Sequence, residues 1–163
     1  MKISATYKGL IAGLTMIAVS LILFYGLHLP LKGNSSYAVM GIFELGVLWP
    51  LISLKINSPE GKSFKDYFSE GFKSFIVMTL LIVLYTVVIY KLNPQILETI
   101  LKENAVAAAG VGNRTPAEIE ENTRKLKDIF MPMTMATTTV LYLLMGSVIS
   151  LIGSFVLSQP NKS

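Results

Sequence analysis

KSFKDYFSEGFKSFIVMTLLIVLYTVVIYKLNP, residues 62–94, passes from a charged amphipathic helix straight into an uncharged apolar run, and that passage decides the fold. Ser63 is placed to cap the helix, and Asp66 three residues on can reach back to it, which is the pattern of a capping box. Phe64, Tyr67, Phe68, Phe72 and Phe75 recur at steps of three and four and make one aromatic face. Lys65, Asp66, Ser69, Glu70 and Lys73 fill the other. Such a segment suits the headgroup boundary, where aromatic rings settle and lysine stems snorkel toward water. No charge stands between Lys73 and Lys91, so residues 74–92 read as a membrane span closed by Asn93 and Pro94.

The rest of the composition agrees. With 52% hydrophobic and 15% charged residues and a mean hydropathy of +0.58, the chain is an integral membrane protein and not a soluble domain. A length of 163 residues predicts a single membrane domain, 1–163. The absence of cysteine excludes disulfides, thiolate chemistry and cysteine-built zinc sites, and a single histidine is too few for a histidine-built metal centre. No cofactor and no metal is expected. A net charge of +4 on lysines beside the spans fits topology and anionic lipid, not nucleic acid.

Working outward, residues 9–29 supply the roughly 20 apolar positions that a hydrocarbon core of about 30 Å demands. They follow Lys2 and Lys8 but exceed a signal core and lack a small-x-small cleavage site, so this first span is expected to stay uncleaved. Residues 37–54 form a shorter second span. In it Pro50 cannot donate to the carbonyl of Gly46, and Trp49 suits an interfacial anchor. Residues 95–130 form the polar loop. Ile96, Leu97, Ile100 and Leu101 trace one helical stripe, Gly110 and Gly112 interrupt it, and Thr115, Pro116 and Glu118 start a second helix with Ile119, Thr123, Leu126 and Phe130 on one face. A helical hairpin is predicted there, then a fourth span at 133–157 whose start Pro132 marks. The fold class is therefore all-α: a four-helix membrane bundle with an amphipathic helix leading into span three and a helical hairpin before span four.

Two stripes of small residues predict close helix packing: Ala5, Gly9 and Gly13 in span one, and Gly146, Ser150 and Ser154 in span four. Facing one another is the simplest arrangement for them. Glu44 is the only acidic residue in the middle of an apolar run, and an ionised carboxylate there needs a partner. Counted from the span ends, Thr86, Thr138 and Thr139 lie at nearly its depth, with Tyr85, Tyr142 and Ser20 within about a turn. These seven residues make a candidate intramembrane polar site if Glu44 faces inward.

Lysines and arginines divide evenly between the two sides of this topology, but the start of span one and the short loop between spans two and three favour cytoplasmic termini. The outer hairpin then faces away from the cytoplasm. Four spans, GLIAG at 9–13, SFKDYFSEGF at 63–72, NP at 93–94 and a helical outer loop together resemble the domain of unknown function 4199 family. The resemblance implies a small bacterial inner-membrane protein, mainly of Bacteroidota, and brings no assigned activity.

Three classes of function remain. The first is a non-catalytic accessory or scaffold component of the bacterial inner membrane, whose partners are the lipid bilayer and a membrane protein or a second copy of the chain. The second is a small ion- or proton-coupled transporter or lipid-handling protein using Glu44. The third, ranked last, is a membrane enzyme on a lipid-linked substrate, for which only Glu44 and His28 stand as acid–base candidates.

Overall fold

The structure, a computed structural model, describes residues 3–31, 33–58, 61–110 and 115–159, apart from the side chains at 34 and 35. It is all-helical among those residues. The elements are α1 (Ala5–Leu21) with a π-helical continuation (Ile22–Gly26), α2 (Asn34–Asn57), α3 (Phe64–Leu92), α4 (Pro94–Gly110) and α5 (Pro116–Ser158). Four of them, all but α4, are long and apolar enough to cross a membrane. By internal packing the chain divides into two compact units, residues 1–82 with 139–163, and residues 83–138.

Local chemistry explains most boundaries. The Ser63 hydroxyl and N–H both donate to the Asp66 carboxylate, at 2.7 and 3.0 Å, and the Asp66 N–H returns to Ser63 Oγ at 3.3 Å, closing the expected capping box. These bonds from Ser63, with Lys62 and Lys65 nearby, hold the carboxyl of Asp66 below the usual carboxylate range. Asp66 lies in the charged first turn of α3, ahead of the uncharged span. A depressed carboxylate stabilises the fold while ionised, and that contribution disappears as pH falls through its folded pKa. At the far end of α3, Pro94 has no N–H to continue the helix, and the Asn93 side chain donates back to the Ile89 carbonyl at 2.9 Å. Thr115 and Glu118 form a second capping box, their hydroxyl and carboxylate 2.9 Å apart, with Pro116 at the first helical position.

Two sequence expectations shift here. Span one begins at Ala5, where Ser4 Oγ accepts from the Tyr7 N–H, and leaves α geometry at Ile22, giving way to a left-handed His28 with φ of 53°. Moreover, the second helix of the predicted hairpin and span four are one helix. Pro132 lies inside α5, whose 43 residues are about twice the number that a hydrocarbon core requires. A single proline with good helix formers on both sides bends a helix more readily than it ends one.

In the first unit α3 is the shared partner. Its buried residues, Tyr67, Gly71, Ser74, Phe75, Met78, Thr79 and Ile82, recur at three- and four-residue steps and form one continuous face. A Cβ built on Gly9 of α1 would lie 2.6 Å from the Ser74 carbonyl oxygen, and one on Gly13 would lie 3.5 Å from the Met78 Cα, so α1 runs parallel to α3 with the backbones in contact. Gly146 of α5 stands against the Phe75 ring, and the Ser150 hydroxyl donates to the Phe68 carbonyl at 3.4 Å, so α5 runs antiparallel to α3. Gly9 and Gly13 of one stripe and Gly146 and Ser150 of the other therefore have α3 as their near neighbour, in place of the face-to-face pairing expected between spans one and four. The reason is residue size. Ser74 and Gly71 make α3 narrow beside Gly9 and Ser150, and Gly13 and Gly146 leave room for the larger Leu81 and Phe75 side chains of α3.

Helix α2 completes the arrangement through a consequence of its own proline. Pro50 leaves the Gly46 carbonyl without its intrahelical donor, and the buried Ser74 hydroxyl of α3 supplies one at 2.9 Å. At the charged end Lys55 Nζ donates to the Leu157 carbonyl at 3.0 Å, capping the last turn of α5.

In the second unit the stripes expected in the polar segment are present. Leu101 and Phe130 are buried, Ile96, Leu97, Ile100, Ile119, Thr123 and Leu126 are half-buried, and Tyr90 meets Phe130 edge-on at 5.2 Å.

Candidate functional site

At one end of the first unit, the start of α1, the end of α2 and the start of α3 enclose a cleft of about 680 Å³. Helix direction places these termini together, since α1 and α3 run parallel and α2 runs against them. Lys8, Trp49, Ser53, Asn57, Glu70 and Lys73 contribute its polar and aromatic lining, together with the first turn of α1. Glu70 and Lys73 pair at 2.9 Å one turn apart on α3. The Asn57 amide donates to the Ser53 carbonyl at 2.6 Å. Lys8 is 7% exposed, and its ammonium stands 6.0 Å from the centroid of the Trp49 ring. Sequence reading had treated Lys8 only as a topology signal. The missed cue was its phase: Lys8 is one residue before Gly9 and four before Ala12, on the flank of the packing stripe.

The aromatic face of α3 borders this end. Phe64, Phe68, Phe72 and Phe75 form a ladder with centroid separations of 6.0, 6.1 and 5.2 Å. Its members divide by depth: Tyr67 and Phe75 are buried, Phe68 is half-buried, and Phe64 and Phe72 are exposed. One helical face is too narrow to bury all five.

Glu44 departs from expectation. Its side chain is exposed, whereas Val39, Phe43, Gly46, Val47, Pro50 and Leu51 are the buried positions of α2. The Gly46 and Pro50 contact with α3 fixes the helical phase, and at 100° per residue Glu44 falls roughly a quarter turn from the buried direction. The inward carboxyl on which the polar cluster depended is therefore corrected. Phe43 takes the inward place beside it and packs edge-on against the buried Tyr142 at 4.8 Å. Ser20 is buried, Thr139 is half-buried in the same unit, and Tyr85, Thr86 and Thr138 are half-buried in the other. His28 is exposed. Among the described residues no group of three or more His, Asp or Glu is placed to hold a metal ion.

A family profile described as "Protein of unknown function (DUF4199)" matches residues 7–159. The chain belongs to that family. No curated protein and no solved structure matches it. Membership joins this DUF4199 protein to a family of unknown function, and the four apolar helices make it a multi-pass membrane protein with a bilayer for its surroundings. The matched range takes in Gly9 and Gly13 of the α1 stripe, Pro50, the aromatic ladder, both capping boxes and the stripe of α5.

Proposed function

We propose that this DUF4199 protein is a non-catalytic accessory or scaffold component of the bacterial inner membrane, with both termini in the cytoplasm, that docks a membrane-protein partner through its second compact unit. The supporting observation is a groove of about 860 Å³ between α4 and α5. Ala105, Ala109, Ala117 and Ile119 line its floor, and Glu120, Glu121, Arg124 and Lys127 border it. Alanine floors let another helix come close, and a rim of mixed charge fixes register better than it adds affinity. Val106, 73% exposed, adds apolar surface on α4.

A photoreactive side chain at Val106 or Glu120, expressed at native abundance, should yield one defined protein adduct at fixed stoichiometry. Ala109→Arg and Ala117→Arg should abolish it by filling the groove. Adducts with lipid alone, or an adduct unchanged by both arginines, would contradict the docking role.

A further inference from the structure

Lys8 is a largely buried residue that lines the cleft with no anion paired to it. Among the described residues its ammonium makes no hydrogen bond and no ion pair, while the carboxylate that shares its cleft, Glu70, is engaged by Lys73. The side chain is packed into the bundle while its ammonium reaches the cleft, so an anion entering there meets a charge that no carboxylate shares. Around it the cleft offers further positive potential. The first turn of α1 has no acidic residue, and Ala5 and Thr6, whose backbone N–H groups are the leading donors of that helix, line the same space. Ser4 caps only the Tyr7 N–H.

We infer that this cleft binds the phosphate group of an anionic ligand. Lys8 supplies the charge, the N–H groups of Ala5 and Thr6 the hydrogen bonds, and Trp49 the apolar wall. Phosphate fits this donor set because its oxygens diverge and bridge an ammonium and a helix N-terminus at once. The position fits too. The cleft opens at the end of the bundle where the charged first turns of α3, with Glu70 and Lys73, precede the uncharged span, at the level that lipid headgroups occupy. A phospholipid headgroup and a free phosphate share this chemistry. The site is separate from the groove in the second unit and does not rest on the accessory role.

The test uses the full-length protein in a neutral maltoside detergent, with the unfolding midpoint followed as phosphatidylglycerol, phosphatidylcholine or inorganic phosphate is added. Phosphatidylglycerol should raise the midpoint, and phosphatidylcholine at equal concentration should raise it much less. Lys8→Met should need about tenfold more phosphatidylglycerol for the same shift, the loss expected for one charge-assisted hydrogen bond, and Lys8→Arg should retain the response. Thr6→Pro removes one N–H at a helix position that tolerates proline, so it should weaken the response severalfold even if Lys8→Met does not fold. A Lys8-dependent shift with inorganic phosphate would identify a soluble ligand; a shift with phosphatidylglycerol alone would identify a headgroup. Equal responses of the native protein, the Lys8 variants and Thr6→Pro to every additive would overturn the inference.

Discussion

Gly9→Ala should destabilise the protein by about 1–3 kcal/mol, the usual cost of forcing an extra carbon into a packed interior. The same change at Gly41 should be neutral or slightly stabilising. Both glycines lie inside helices, where alanine is ordinarily the better residue by up to about 1 kcal/mol. What differs is the neighbour. The Gly9 Cβ would lie 2.6 Å from the Ser74 carbonyl oxygen and 2.9 Å from its Cα, and neither backbone atom can move aside without α1 and α3 parting. Nothing lies within 4 Å of a Cβ at Gly41. Denaturant titration in mixed micelles, followed by far-ultraviolet circular dichroism, reads both changes. A Gly9→Ala protein as stable as the Gly41→Ala protein would mean that α1 and α3 are not in backbone contact.

The second large effect concerns the carbonyl that Pro50 leaves free. Ser74→Ala deletes its buried donor and should cost about 1–2 kcal/mol, the range for interhelical hydrogen bonds in lipid and for orphaned buried acceptors. In a Pro50→Ala background residue 50 regains an N–H that can serve the Gly46 carbonyl, so Ser74→Ala should cost markedly less there. The four proteins form a double-mutant cycle whose coupling should exceed about 0.5 kcal/mol. Additive costs within error would mean that the Ser74 hydroxyl stabilises the bundle by packing alone.

Much of this was legible in the sequence because it depends on neighbours along the chain. The capping boxes at Ser63 and Thr115, the break at Asn93 and Pro94, the stripes of α4 and early α5, and the count of four spans all follow from periodicity and end chemistry within a few residues. The orphaned Gly46 carbonyl was legible too, but its donor was not, since Ser74 is 28 residues away. Phase was the general difficulty. In lipid the outward face of a span is as apolar as its inward face, so hydropathy does not point inward, and Glu44, Phe75 and Lys8 could be oriented only once contacts were known. The small-residue stripes announced close packing without naming a partner. Pro132 misled for another reason: proline opens helices often enough to suggest a boundary, yet α5 continues through it.

Paired cysteines test directly whether α3 is the common partner of both small-residue stripes, because the chain has no cysteine of its own. A Cβ at Gly13 lies 3.5 Å from the Met78 Cα, within disulfide range. In native membranes under mild oxidation, the Gly13→Cys, Met78→Cys protein should form an intramolecular disulfide quickly, with the linked peptides identified by mass spectrometry. The Gly13→Cys, Gly146→Cys protein should stay reduced. A disulfide between positions 13 and 146, with none between 13 and 78, would contradict the account by placing the two stripes face to face.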